Sequence, residues 1–97
     1  MKYASETLFE TDHVLVRRMT LAPLEVAPLH FHTLVDEQIV CLDGQVAVAV
    51  RGAETETVLS EGQSLVIRAG TPHRIWNRCN APTQYLLTQS GGSTTFV

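Results

Sequence analysis

The apolar residues of this chain come in short alternating bursts, at 13–21 (HVLVRRMTL), 37–42 (EQIVCL), 45–51 (QVAVAVR), 56–60 (ETVLS), 64–69 (SLVIRA) and 83–89 (TQYLLTQ). A period of two in segments rich in Val and Ile is the pattern of a strand buried on one face. Between the bursts stand Asp43-Gly44, RGAE at 51–54, Glu61-Gly62, AGTP at 69–72 and NAP at 80–82. These are turn sequences, in which glycine supplies a positive φ and proline a fixed one. No window carries apolar residues at three-and-four spacing for even three turns. Only SETLFETD, inside a stretch 1–12 that stands outside the regular pattern, admits a helical turn. The expected fold class is all-β.

Many short strands in 97 residues favour a closed or two-sheet antiparallel architecture, because closure removes exposed strand edges. A jelly-roll barrel fits, with an immunoglobulin-like sandwich as the structural competitor. The length suits one hydrophobic core, so residues 1–97 are read as a single domain. The end SGGSTTFV (90–97) carries paired glycines and is expected to be a flexible tail.

Seven Lys plus Arg against ten Asp plus Glu leave a net charge of -3, and no basic run exceeds Arg17-Arg18. Nucleic acid is therefore not an expected partner. No apolar stretch approaches the roughly 20 residues that cross a bilayer, and the start lacks the apolar region of a secretory signal. A cytoplasmic protein without a membrane partner is the expectation. Cys41 and Cys79 lack the spacing of a zinc or redox motif and read as small buried thiols.

Three of the four histidines fall in two segments, PLHFHTLVDE (28–37) and AGTPHRIWN (69–77). Residues two apart on a strand share a face about 6.6 Å along, so His30 and His32 present two imidazoles together while Phe31 points away. Glu37 lies at an odd offset from His32 and would face the opposite way on an unbroken strand. A connection through Thr33, Leu34, Val35 and Asp36 is therefore expected, with Glu37 beginning the next strand and sharing its inner face with Ile39 and Cys41. After the Gly70-Thr71-Pro72 turn, alternation places His73, Ile75, Asn77 and Cys79 on one face, and Arg74, Trp76 and Arg78 on the other. Imidazoles with a carboxylate suit one divalent transition metal ion, of the Fe, Zn, Mn, Ni or Cu kind, and leave positions open on a six-coordinate ion. His13 has no partner at ligand spacing and is read as an ordinary side chain. Arg51, Arg68, Arg74 and Arg78 are read as solvated charges.

These two segments resemble the cupin family. Its first motif runs Gly, five residues, His-x-His, three or four residues, Glu, six residues, Gly. His30, His32, Glu37 and Gly44 match it within about 24–44, and Leu24 stands at the leading glycine. The second motif appears within about 62–77 as Gly62, Gly70, His73 and Asn77, with Arg68 where proline is usual. The resemblance implies a double-stranded β-helix barrel holding the metal with His30, His32, Glu37 and His73. It makes Asn77 a structural or pocket-lining residue and no ligand.

The remaining inner-face candidates, Ile39, Cys41, Ile75, Asn77 and Cys79, imply an apolar pocket poor in acids and bases, in which the metal does the chemistry. Among cupins this resembles the dioxygenases acting on a small chelating molecule. Two other readings stay open. One is a Lewis-acid isomerase or cyclase for a sugar or keto acid, with a polar mouth from Gln38, Gln45, Tyr85 or an arginine. The other is a non-catalytic module that binds or senses a small molecule. Outer-face Phe31, Val40, Leu42 and Trp76 predict a homodimer. Without metal, clustered buried imidazoles are expected to weaken the fold in acid, since burial disfavours their protonated form.

Overall fold

A computed structural model describes residues 4–27 and 35–91. They form β1 (Ala4–Glu10), β2 (Val14–Leu21), β3 (Val35–Asp43), β4 (Gln45–Val50), β5 (Thr57–Ser60), β6 (Ser64–Ile67), β7 (His73–Trp76) and β8 (Thr83–Gly91). No helix occurs among the described residues, so none is long and apolar enough to cross a membrane. Two antiparallel sheets result, one ordered β1-β2-β8-β3-β6 and the other β5-β4-β7. From β5 to β8 each strand lies in the other sheet from the one before it, the winding of a jelly roll.

Alternation explains why the sheets meet face to face. β3 turns Val35, Glu37, Ile39 and Cys41 inward, and β8 turns Thr83, Tyr85, Leu87 and Gln89 inward. From the facing sheet come Val46 and Val48 of β4, Leu59 of β5 and Ile75 of β7, closing one apolar core with Met19 and Leu21 of β2. Each such aliphatic side chain contributes about 1.5–3 kcal/mol by leaving water. The β3–β4 turn depends on Gly44 at φ 77°, where a Cβ would stand 3.0 Å from Thr83 Oγ1. The Thr83 hydroxyl in turn donates to the Asp43 carbonyl.

Two expectations need correction. The stretch before residue 12 is no helical turn but the edge strand β1, antiparallel to β2, with a register shift between Thr7 and Phe9. All seven of its residues are exposed, so neither face imposed a period of two on its sequence. Glu37 does not begin a strand either. β3 starts at Val35, which pairs with Gly91 and is buried on Glu37's own face. Of the outer-face residues named above, Val40 lies on the larger sheet, while Trp76 lies on the smaller and donates from Nε1 to Glu56 at 2.6 Å. Leu42 is exposed on β3, and Phe31 lies outside the described residues.

Candidate metal centre

Glu37 is a carboxylate on the buried face of a central strand, 3% exposed. A charge in that setting persists only with partners that replace water. It has them on both oxygens. Oε1 lies 2.7 Å from Nε2 of His73, and Oε2 accepts a hydrogen bond from Nε2 of Gln89 at 2.6 Å. Gln89 sits directly opposite Glu37 in the β3–β8 ladder, on the same inner face.

His73 opens β7 at 4% exposure. The preceding turn, closed by Thr71 N–H donating to the Arg68 carbonyl at 3.2 Å, takes its positive φ from Gly70. Asp36 pins that turn from outside, accepting from Ala69 N–H at 2.8 Å and standing 3.5 Å from the Arg68 guanidinium. Neighbouring residues of β3 therefore grip His73 from two sides. Asp36 holds its turn, and Glu37 meets its ring.

The ring is oriented by its other nitrogen. Nδ1 lies 3.0 Å from the Thr71 carbonyl, which can only accept, so Nδ1 carries the proton and Nε2 faces Glu37. Burial opposes the imidazolium. The hydrogen bond to Glu37, the Thr71 carbonyl and the Glu37 charge together outweigh it, and the His73 pKa lies above the ordinary histidine value. For this histidine the expected acid-weakening of the metal-free fold is reversed.

Glu37 and His73 are thus brought together, while His30 and His32 lie outside the described residues. Among the described residues no third His, Cys, Asp or Glu joins the pair. The flanks of 28–34 are both anchored near it. Ala27 N–H donates to the Ile75 carbonyl, two residues from His73, and Val35 lies two residues before Glu37 on β3. His13 is exposed, with its ring against the Gly91 carbonyl.

The residues expected to line a pocket separate into two groups. Ile39 and Ile75 stand one pleat below Glu37 and His73, in the core. Cys41 and Asn77 are four residues further along the chain than Glu37 and His73, about 13 Å at ~3.3 Å per extended residue, and belong to the opposite end. There Cys41 is buried with Sγ 3.3 Å from the Gly44 carbonyl, and burial raises its pKa. Asn77 is fully buried and acts as a pin. Its Nδ2 reaches the carbonyls of Leu21, Ala22 and Ala81 at 3.2, 3.2 and 2.7 Å, and its Oδ1 accepts from Cys79 N–H at 2.9 Å. β7 ends at Trp76, yet the alternation of burial runs on past it, with Asn77 buried, Arg78 exposed and Cys79 half-buried; Asn77 turns inward as expected but gives its side chain to backbone partners.

Two residues escaped the sequence reading. Gln89 continues the inner-face series Thr83, Tyr85, Leu87, and a polar side chain in that register was the available signal. Arg17 falls on the inner face between Leu15 and Met19, with its Nε buried.

Comparison with known proteins agrees with this architecture. The family description "Cupin domain" matches residues 17–88. The tetracenomycin polyketide synthase protein TcmJ of Streptomyces glaucescens is 34% identical over 64 residues, 66% of this chain, and the match spans only 42% of that protein. The crystal structure of TT1209 from Thermus thermophilus superposes with a TM-score of 0.85 at 27% identity, covering 94% of this chain and 85% of that one. An RmlC-like cupin with a double-stranded β-helix fold from Methanocaldococcus jannaschii gives 0.83 at 16% identity, covering 96% and 84%. A family match over three quarters of the chain, on an all-β double-stranded β-helix shared with that cupin, makes this protein a member of the cupin family.

Proposed function

We propose that this cupin binds one divalent transition metal ion with Glu37 and His73, completed by His30 and His32, and offers it to a small chelating molecule. The observation that carries the reading is the buried apposition of a carboxylate oxygen and an imidazole nitrogen at 2.7 Å. As a purely structural ion pair it has little to recommend it, since apolar residues of similar volume commonly serve stability as well or better. As a donor pair it fits borderline divalent ions, with the His73 tautomer already set by Thr71.

When bound, such an ion supplies a Lewis acid with open positions and, in the iron case, oxygen chemistry. The chain's own contribution is placement and water exclusion. Buried Ile67 flanks Glu37 across the β3–β6 ladder, buried Ile39 and Ile75 follow the pair along the chain, and the ladder neighbour Gln89 is neutral. That poverty in acids and bases favours metal-centred oxidation of the dioxygenase kind over proton-shuttling isomerisation. A hollow of about 370 Å³ is lined by Ala49, Val50, Arg51, Pro72, His73 and Arg74 where β4 meets the start of β7, a size that suits a small molecule. The likeness to a polyketide synthase protein adds polyketides to the substrates worth trying.

The test is metal analysis of the purified protein, then oxygen uptake after Fe²⁺ loading with catechols, thiols and diketones. One ion per chain and substrate-dependent uptake are expected. Zinc retained without uptake would favour Lewis-acid chemistry or a binding module, and failure to retain any divalent ion would remove the metal reading.

A further inference from the structure

Glu37 has two oxygens, and the fold treats them differently. Oε1 meets the His73 ring, whereas Oε2 is held at 2.6 Å by the side-chain amide of Gln89. Gln89 is 2% exposed and faces Glu37 directly across the β3–β8 ladder. β2 flanks it on the other edge of β8, where it pairs with Leu15. Strands on both sides fix its backbone, and burial with the bond to Glu37 holds the amide as a donor. It is also a neutral one, donating in the same way at every accessible pH.

We infer that Gln89 is a positioning residue that reserves Oε2 of Glu37 and leaves Oε1 as the single oxygen the carboxylate offers to a metal. The inference rests on the metal reading above. A carboxylate that grips an ion with both oxygens must turn the lone pairs of both toward it. Here one of the two lone pairs of Oε2 already accepts an N–H, which fixes the carboxylate's orientation and weakens Oε2 as a second ligand. Holding Glu37 to one oxygen leaves one coordination position more for a chelating ligand, which is what a site for small chelating molecules requires. Donation into the carboxylate also stabilises its charged, metal-binding form.

The role is measurable without turnover. In the infrared, antisymmetric and symmetric carboxylate stretches lie far apart when one oxygen is bound and close together when both are. Zinc-loaded minus metal-free difference spectra would be recorded for the wild type, with Glu37→Gln identifying the Glu37 bands. The wild type should show the wide separation and Gln89→Met, similar in volume but without the donor, the narrow one. Zinc affinity by chelator competition should fall about 10- to 100-fold in Gln89→Met, the usual consequence of removing an outer-sphere partner. In a Glu37→Ala background the same change should cost no further affinity, because Gln89 acts through Glu37.

A narrow separation in the wild type overturns the inference by itself, whether or not the variant folds. So do identical spectra in wild type and Gln89→Met, or affinity losses that simply add. Failure of the wild type to take up zinc would instead overturn the metal reading, which keeps the two failures distinct.

Discussion

Asp36 and Glu37, successive residues of β3, act on opposite sides of the same histidine: one carboxylate accepts from the backbone of the turn before His73, the other meets the His73 ring. Adjacent strand residues point to opposite faces, so a single strand reaches both the outer turn and the inner site. Strand β3 therefore sets the position of β7 and of its histidine together. Asp36→Ala should free the Arg68–Thr71 turn and lower zinc affinity about tenfold, in the range for outer-sphere partners. The fold itself should survive. Unchanged affinity in a chelator titration would show that the turn holds His73 without Asp36.

Proton binding to His73 gives the metal-free protein a definite pH dependence. Its pKa is raised in the folded state because Glu37 and the Thr71 carbonyl outweigh burial. The stabilisation from the charged ring is thus complete below the unfolded value of about 6.5 and disappears as pH rises through the higher folded value. Urea unfolding of metal-free wild type and His73→Gln between about pH 5.5 and about pH 8.5 should show the wild-type advantage shrinking with rising pH. An advantage that grows with pH would mean the ring is neutral in the fold.

Loading with metal should stabilise by mass action, about 2.7 kcal/mol at a hundredfold excess of free zinc over Kd. For a domain of this size that is a rise of roughly 10 °C or more in Tm. His73→Ala should abolish the rise, whereas His13→Ala should keep it, since His13 is exposed and leans on the Gly91 carbonyl. Equal shifts in all three proteins would place the ion elsewhere.

Asn77 is expected to matter for folding and not for metal. Replacement by Leu removes the side-chain partner of the Leu21 and Ala81 carbonyls and of the Cys79 N–H at a fully buried position, while the Ala22 carbonyl keeps the Glu25 N–H. Each buried group left without a partner costs about 1–3 kcal/mol. Thermal unfolding should show a loss of several kcal/mol, with zinc per folded chain unchanged. Reduced zinc at full stability would return Asn77 to the metal site.

What could be read from the sequence follows burial. β3 and β8 are buried on one face and more open on the other, so their alternation was plain, and so was the all-β class. β1 is exposed on both faces, and nothing but pairing with β2 makes it a strand. The histidines and Glu37 stood out through spacing alone. Gln89 did not, because a polar residue near a strand end reads as solvent-facing until the ladder places it opposite Glu37. Asn77 is buried as alternation from His73 implies, but the backbone carbonyls its amide meets lie on other segments of the chain, which alternation along one strand does not reveal.

Leu24 occupies the position where the resemblance calls for glycine, and its backbone shows why glycine belongs there. Residues 22–25 form a turn closed by Glu25 N–H donating to the Ala22 carbonyl at 3.0 Å, with Pro23 second and Leu24 third at φ 61°. A proline followed by a positive φ is the type II arrangement, which favours glycine at that third residue. The chain keeps this conformation with a leucine in it, aided by Ala22 N–H donating to the Glu25 carboxylate at 2.8 Å. A left-handed φ costs an L-residue about 1–2 kcal/mol, and Leu24, 65% exposed, recovers little by burial. Leu24→Gly removes that strain, at the expense of about 0.5–1 kcal/mol of extra unfolded-state entropy. A net gain of about 0.5–1 kcal/mol is expected from urea unfolding, with metal content unaltered. Lower stability would show that the exposed leucine makes a contact worth more than the strain it carries.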